Sequence, residues 1–216
     1  ALSVQQVGAR ALVLPVTTRK ASLWAEYGDG RVIEGEHSIN EPGHLSDTRI
    51  ANLYIKPHVR ALPAVIEAIE QADYLIASPG DLHTSVLANA VVGDVPVAIR
   101  DTKAKFIYVS NLMTKYGQTT DMGVSDLLGE VEKYCLRRPD TVLVNNARIP
   151  TAVLKKYWRA GEKEINDDLD DEKQEVIRAD LLDNQEVKTV EGDLLKRSLI
   201  KHDHQKLQNI LKTILK

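Results

Sequence analysis

The sequence contains very little cysteine, phenylalanine or methionine, with one Cys, one Phe and two Met among 216 residues. A single cysteine excludes a disulfide framework and a cysteine-ligated metal site. No apolar run approaches the ~20 residues that a membrane-spanning helix needs, and no secretory signal is visible. We therefore expect a reducing, cytoplasmic setting in which Cys135 is a small buried hydrophobe rather than a nucleophile.

A strong excess of one charge sign is also missing. The formal net charge is −3, so no global basic field attracts nucleic acid or an acidic membrane. Hydrophobic residues make up 43% and charged residues 27%, which is the ordinary balance of a globular protein with a sizeable core. We expect residues 1–216 to form a single domain. The first residues, which lack Met, read as the end of a helix running into a strand, so we also expect an internal start.

The first quarter of the chain has the branched and aromatic composition of strands. Gly-Asp-Gly at 28–30 is a turn signal between two such stretches, so an antiparallel hairpin is predicted there. Residues 40–47 are predicted as a loop. The stretches predicted as extended are 10–17, 21–27, 31–39 and 48–57.

From residue 59 onward, helical and strand-like patterns alternate. The predicted helices cover 59–72, 81–92, 123–138, 150–161 and 203–216. The predicted strands cover 73–78, 105–111, 140–146 and 176–183, and the first of them is apolar enough to be covered on both faces. This alternation predicts an α/β fold with a Rossmann-like, mostly parallel sheet wound with helices on both faces, to which the hairpin is an addition.

The segment Ser-Pro-Gly-Asp-Leu-His-Thr-Ser, residues 78–85, lies where a predicted strand gives way to a helix. Ligands bind at this rim of parallel sheets, and a helix N-terminus offers unpaired N–H groups to a phosphate. Gly80 lets backbone approach a ligand, and Pro79 fixes the course of the chain. The hydroxyls of Thr84 and Ser85 can bond phosphate oxygens. The alternative is that Ser78 or Asp81 only caps the helix.

A second polar segment, 108–126, follows the next strand and therefore emerges at the same rim. Asn111 can bond a base or a ribose, Thr114 can bond a phosphate, and Lys115 is the nearest cation. The polar loop 114–123 is long enough to fold over a ligand. The alternative is a plain connection capped by Asp121 or Ser125.

The remaining candidates favour structural roles. Asn145 and Asn146 follow a further strand, but Asn is also a common turn residue. His202 and His204 flank Asp203; a metal site is conceivable there, but a capped helix start is favoured because no third ligand is near in sequence. His83 is either a ligand contact or a solvated side chain. The acidic run 166–172 is expected to be a solvated surface.

Three of these stretches, 77–89, 106–119 with 124–128, and 142–150, resemble the CofD/YvcK-type family in order and spacing. Residues 10–36 and 201–211 also resemble the matching parts of that family, so the resemblance covers nearly the whole chain. The family's opening glycine-rich strand, loop and helix and its Asp-rich loop are not in this sequence. The chain thus resembles the last two-thirds of such a protein.

The resemblance implies a Rossmann-like sheet that binds a nucleotide diphosphate compound. One branch is the gluconeogenesis factor, a cytoplasmic regulatory protein that supports cell shape and wall synthesis during gluconeogenic growth and is similar to binders of UDP-sugars. The other comprises 2-phospho-L-lactate transferases, which move a phospholactyl-type group from a guanosine diphosphate donor to a deazaflavin precursor with magnesium. The Pro79–Gly80 form favours the first branch, because the second typically has Asn-Pro there.

The nucleotide- and phosphate-binding residues carried over from the resemblance are Ser78, Pro79, Gly80, Asp81, Thr84, Ser85, Asn111, Met113 and Thr114. No catalytic residue or metal ligand is assigned, magnesium is expected only if the transferase alternative holds, and enzymatic activity and a homo-oligomer both stay open. A third hypothesis is that the chain acts through its surfaces alone, which Asp81 favours because a negative charge repels anions. The central hypothesis is that amides near Gly80 converge with those beyond Asn111 to hold a diphosphate.

Overall fold

The structure, a computed structural model, describes residues 11–41, 48–170, 174–183 and 198–215. Three strands form an antiparallel sheet of order β2-β1-β3, with β1 at Ser22–Tyr27, β2 at Val32–Glu34 and β3 at Ile50–Lys56. Four strands form a parallel sheet of order β4-β5-β6-β7, with β4 at Tyr74–Ala77, β5 at Lys105–Val109, β6 at Thr141–Asn145 and β7 at Glu175–Ala179. The predicted α/β class with a Rossmann-like parallel sheet is therefore confirmed.

Seven α-helices are present in the described part of the chain. They are α1 at Glu36–Asn40, α2 at Pro63–Glu70, α3 at Leu87–Ala90, α4 at Val95–Asp101, α5 at Val124–Cys135, α6 at Thr151–Arg159 and α7 at His204–Ile214. A π-helical turn at Leu82–Val86 leads directly into α3. No single described helix is long and apolar enough to cross a membrane, although Leu82–Ala90 and Val95–Asp101, bent by 79°, meet that test as a pair.

The N-terminal hairpin differs from its prediction in three ways. The return strand ends at Glu34, because Gly35 has a φ of 93° and turns the chain into α1. Residues 11–17, predicted as extended together with residue 10, contain no strand, and residue 10 lies outside the described part. The hairpin also forms a separate sheet with β3 instead of extending the parallel sheet. Most of the predicted loop 40–47 lies outside the described residues.

The parallel sheet is covered on both faces, as predicted. Phe106 and Tyr108 of β5 point into a core that contains Leu127 and Val131 of α5. The intervening residues of β5 and β6 point the other way and pack against the apolar side of α7. Each large aliphatic side chain buried in this way contributes about 1.5–3 kcal/mol before entropy is counted.

The outer strand β4 departs from the prediction of burial on both faces. Among the described strands it pairs only with β5, and Ile76 is 40% exposed. An apolar run of four residues thus indicated a strand correctly but did not reveal its position in the sheet.

Hydrogen bonds join the two sheets through α5 and the loop before it. The backbone N–H of Leu53 in β3 donates to Tyr134 Oη at 2.7 Å. The Arg49 guanidinium donates to the carbonyls of Thr120 and Asp121, both at 2.7 Å. These hydrogen bonds between residues far apart in sequence hold the antiparallel sheet beside α5 and the loop that follows β5.

Two helix starts are capped by carboxylates. The carboxylate of Asp203 accepts hydrogen bonds from Gln205 N and Lys206 N, so the predicted cap of α7 is confirmed. Asp168, from the acidic run expected to be a solvated surface, accepts from both the N–H and the hydroxyl of Ser125 in the first turn of α5. Asp168 is exposed, as expected for this run, and has this capping role in addition; residues 171–172 of the run lie outside the described part.

Candidate ligand-binding cleft

A cleft of about 670 Å³ opens at the carboxyl ends of β4 and β5. This volume lies within the ~300–1,000 Å³ typical of small-molecule sites. Its walls come from the turn after β4, the segment after β5, the end of α6 and the residues around the start of α7. The residues that line it are Pro79, Gly80, Asp81, Leu82, Asn111, Leu112, Met113, Thr114, Lys115, Thr119, Lys156, Tyr157, Ala160, Glu162, Ser198, Leu199, Ile200, Lys201, His202, His204 and Leu207.

A single hydrogen bond joins the two segments that the sequence singled out. Asn111 Nδ2 donates to the carbonyl oxygen of Gly80 at 2.6 Å. The Asn111 amide oxygen is 3.4 Å from Tyr108 Oη, which lies in the buried strand β5. Asn111 therefore bridges the strand end and the Pro79–Gly80 turn, and both segments border the same cleft.

The first turn after β4 has no side-chain cap. Asp81 occupies the N-cap position, but its carboxylate makes no capping bond, and only its carbonyl accepts, from Ser85 N and Val86 N. Ser78 is exposed and does not cap the turn either. The capping alternative for Ser78 and Asp81 therefore does not describe this turn. Instead, Asp81 Oδ2 lies 3.9 Å from Lys115 Nζ, so a cation partly offsets its charge.

Six of the nine carried-over residues line the cleft, and Ser78, Thr84 and Ser85 do not. Thr84 is buried and donates its hydroxyl hydrogen to Asn40 Oδ1 at 2.7 Å, which directs it toward α1. Ser85 is exposed, and its Cβ would lie 3.2 Å from a Cβ built on Gly80. The expected contact of Thr84 with a ligand in this cleft is therefore corrected, since its hydroxyl is directed toward α1. Ser85 does not line the cleft, and its contact with a ligand stays a prediction.

Thr114 is buried in the cleft wall and is already held by the chain. Its N–H donates to Lys163 O at 2.7 Å, and its Oγ1 accepts from Lys163 N at 2.8 Å. The hydroxyl hydrogen is the remaining donor of this side chain. Thr114 thus has a fixed position from which it can donate one hydrogen bond into the cleft.

The loop 114–123 is packed, in contrast to its predicted role as a cover over the ligand. Gln118 is 0% exposed, and its Nε2 donates to Asn40 Oδ1 at 3.0 Å. Thr119 Oγ1 accepts from Lys115 N at 2.8 Å and closes the loop on itself. Because these groups are buried and bonded, the loop forms a supporting wall of the cleft.

Tyr157 of α6 anchors the opposite wall. Its hydroxyl oxygen accepts hydrogen bonds from Leu199 N at 2.9 Å and Ile200 N at 3.3 Å. Burial is the main reason why the pKa of Tyr157 is raised, so the phenol stays protonated at physiological pH. This one side chain holds the extended segment before α7 against the cleft.

His202 joins that wall to the end of β5. Its Nε2 lies 3.1 Å from the carbonyl oxygen of Ser110, which can only accept, so Nε2 carries the hydrogen. Burial lowers the pKa of His202 and opposes the effect of this hydrogen bond. A neutral imidazole with Nδ1 as its acceptor nitrogen is therefore present in the cleft wall.

Charged groups of both signs line the cleft. The cations are Lys115, Lys156 and Lys201, and the carboxylates are Asp81 and Glu162, so lysines outnumber carboxylates by three to two. Glu162 is only 7% exposed. The small positive excess suits an anionic ligand, and the buried carboxylate can accept hydrogen bonds from hydroxyl or amide groups of the same ligand.

The sequence interpretation missed this second wall. Residues 157 and 199–202 follow neither β4 nor β5 in sequence, and His202 meets Ser110 across 92 positions. The local signals were the resemblance of 201–211 to the family and the two histidines that flank Asp203, which favoured a capped helix start. No group of three or more potential metal-binding side chains occurs in the described ranges, and Asp203 caps α7 as favoured.

Two further candidates have structural roles. Asn145 Oδ1 accepts from Ala147 N and Leu181 N, so the turn interpretation describes it well. Asn146 is exposed and does not line the cleft. His83 was expected to be a ligand contact or solvated, but it is 0% exposed and its Nε2 lies 3.7 Å from Glu130 Oε2. The prediction for His83 is therefore wrong, because the first helical turn faces α5.

Fold and cleft together define an α/β protein with a Rossmann-like parallel sheet and a ligand-sized cleft at its carboxyl rim. A family model described as 2-phospho-L-lactate transferase CofD matches residues 1–185. The chain therefore belongs to the CofD family.

Relatives support this assignment. The chain is 37% identical over 202 residues to a Thermotoga maritima protein named as a gluconeogenesis factor, covering 94% of this chain and 62% of that one. It is 31% identical over 212 residues to the gluconeogenesis factor of Bacillus subtilis, with 96% and 62% covered. A crystal structure of a UPF0052-family protein from Bacillus halodurans matches with a TM-score of 0.82 and 26% identity, covering 100% of this chain and 64% of that one. The chain thus spans less than two thirds of each relative's length.

Proposed function

We propose that the cleft binds a nucleotide diphosphate compound of the UDP-sugar type. The hydrogen bond from Asn111 to Gly80 carries this proposal, because it sets the uncapped turn after β4 beside the segment after β5. Backbone N–H groups of that turn then donate hydrogen bonds to the diphosphate oxygens. Thr114 is a further donor, and Lys115 is the adjacent cation. Asn111 and Met113 border the space left for the sugar and base.

In this proposal the protein is a cytoplasmic, ligand-binding regulator of the gluconeogenesis factor type, acting on cell shape and wall synthesis during gluconeogenic growth. The name of the Bacillus subtilis relative, gluconeogenesis factor, supports the link to gluconeogenic growth, and the action on cell shape and wall synthesis belongs to the proposal alone. A compact site with donors on one wall and a neutral histidine on the other suits recognition of an uncharged sugar as well as a diphosphate.

The test is a thermal-shift and calorimetric titration with UDP-N-acetylglucosamine, with and without magnesium. We expect the UDP-sugar to raise the melting temperature without magnesium, since a ligand present at 100 times its Kd adds about 2.7 kcal/mol of stability. Free N-acetylglucosamine serves as the control that lacks the diphosphate. No response to the UDP-sugar at millimolar concentration contradicts the proposal.

A matched pair of variants localises the binding. Lys115→Gln removes a cleft cation and is expected to weaken UDP-sugar binding by about threefold to tenfold. Lys103→Gln makes the same charge change at an exposed position outside the cleft and is expected to leave the affinity unchanged. Equal effects of the two substitutions would show that the ligand binds elsewhere.

The alternative function is phospholactyl transfer, as the description of the matching family model suggests. Here the same cleft would hold a guanosine diphosphate donor, and positioning with charge stabilisation would supply most of the catalysis. Magnesium-dependent stabilisation by GDP, with no response to the UDP-sugar, favours this alternative over the regulatory proposal.

A further inference from the structure

A second cavity, of about 590 Å³, lies between residues 17–20 before β1 and residues 57–62 after β3. It shares no lining residue with the candidate cleft. Its lining consists of Thr17, Thr18, Arg19, Lys20, Pro57, His58, Val59, Arg60, Ala61 and Leu62. These ten residues are called the basic pocket below.

The charge of the basic pocket runs against that of the whole chain. Arg19, Lys20 and Arg60 line it together with His58, and no Asp or Glu does, although the chain has a net charge of −3. None of the three cations forms an ion pair with any residue in the described ranges. All three residues are exposed, so solvent and salt weaken their mutual repulsion, and an anion bound in the concavity offsets what remains at low salt.

The backbone that carries these cations is held in place. Leu62 N donates to Val16 O at 2.9 Å and joins the two segments. Val59 is buried, and a Cβ built on Gly93, whose φ is 48°, would lie 2.9 Å from Arg60 Cα. Because Gly93 allows this close approach, the segment 57–62 is packed against the turn before α4. The cations are therefore presented from a fixed framework, which lowers the entropy lost on binding.

Hydrogen-bond donors complete the lining. The hydroxyls of Thr17 and Thr18 and the planar guanidinium groups of Arg19 and Arg60 match the oxygens of phosphate groups. The volume exceeds what one phosphate fills and lies in the range of metabolite sites. Concavity favours a small ligand over nucleic acid, whose binding surfaces are extended basic stripes or grooves.

We propose that the basic pocket is a second ligand site, which binds a small phosphorylated molecule with at least two anionic groups. Arg19 and Arg60 bond its phosphate oxygens, and Lys20 supplies further positive charge. The site is independent of the proposed nucleotide cleft, so the chain can receive two different anionic metabolites.

The test is calorimetric titration of the whole chain with inorganic pyrophosphate. The double variant Arg19→Gln/Arg60→Gln is expected to weaken binding at the basic pocket by about tenfold or more. Arg148→Gln/Arg159→Gln is the matched control, because it removes the same charge from two exposed arginines that line neither cavity. The control is expected to bind within about twofold of the parent protein.

The cleft variant Lys115→Gln separates the two sites. If the cleft and the basic pocket both bind pyrophosphate, Lys115→Gln weakens binding at the cleft, and the arginine double variant weakens binding at the basic pocket. If the cleft binds no pyrophosphate, the titration shows one binding site, and its affinity depends on Arg19 and Arg60. The proposal is overturned if the arginine double variant and its control bind equally well, or if Lys115→Gln abolishes all binding.

A second readout is the melting temperature, measured first without and then with pyrophosphate. Because the three cations repel each other, Arg60→Gln is expected to raise the melting temperature at low salt in the absence of anions. Added pyrophosphate is expected to stabilise the parent protein more than this variant, and 0.5 M NaCl should reduce both differences, since its Debye length is only about 4 Å. A lower melting temperature for Arg60→Gln at low salt, without the loss of pyrophosphate stabilisation, contradicts the proposal.

Discussion

At the scale of single residues, burial sets the chemistry of the cleft. Tyr157 stays a phenol and His202 stays a neutral imidazole because burial disfavours their charged forms. Burial also raises the pKa of Cys135 to about 12, and the expectation that this side chain is buried is confirmed. The ring hydrogen of His202 can be assigned to Nε2 because the Ser110 carbonyl accepts it.

His202 makes stability depend on pH in a defined direction. Its folded pKa lies below the ordinary value of 6.5, so the unfolded chain binds more protons as pH falls through that region. The neutral His202 side chain therefore costs the folded state no stability above about pH 6.5, and the free energy of unfolding falls progressively below that pH. We expect the free energy of unfolding, measured with urea between pH 8 and pH 5, to fall more in the parent protein than in His202→Gln. Parallel pH profiles would contradict this prediction.

At the scale of elements, the starts of helices were harder to predict than the helices themselves. The apolar periodicity of 123–138 and 203–216 identified α5 and α7, because each buries one side against the parallel sheet. Asp203 could be recognised as a cap, since it lies directly before α7. The cap of α5 could not, because Asp168 lies 43 residues after Ser125 and reaches it only in the folded chain.

This distant cap gives a prediction for α5. Burial raises the pKa of Asp168, but the hydrogen bonds from Ser125 outweigh it and leave the pKa lowered, so the carboxylate is ionised at neutral pH. Asp168→Ala is expected to cost about 0.5–2 kcal/mol of unfolding free energy. The control is Asp73→Ala, at an exposed position before β4, and it should change stability by less than about 0.5 kcal/mol. Equal costs in urea denaturation would show that the cap contributes nothing.

At the scale of the whole molecule, the cleft is made by bringing α6, α7 and the rim of the parallel sheet together. Tyr157 belongs to a hydrophobic cluster with Leu112, Ile149 and Ile200, which joins the segment after β5 to α6 and to the residues just before α7. The shape of the cleft therefore depends on long-range packing as much as on the local turn at Gly80.

Removing one hydroxyl tests this dependence. Tyr157→Phe keeps the ring in its cluster but leaves Leu199 N and Ile200 N without their acceptor, at a cost of about 1–3 kcal/mol. We expect faster proteolysis near residues 199–201 and weaker binding of UDP-N-acetylglucosamine, while the far-ultraviolet circular dichroism is preserved. Tyr54→Phe, in the antiparallel sheet, is the matched control. Unchanged proteolysis in Tyr157→Phe would show that the segment is held by other contacts.

The sequence alone determined the α/β class, the parallel strands and one side of the cleft. Hydrophobic periodicity and turn chemistry are local, and the carboxyl ends of parallel strands must share a rim, so Gly80 and Asn111 could be expected to meet. Only the tertiary structure decided that Thr84 and His83 point away and that Tyr157 and His202 form the opposite wall. Those outcomes depend on which distant groups satisfy each buried donor and acceptor, and neither residue spacing nor composition contains that information.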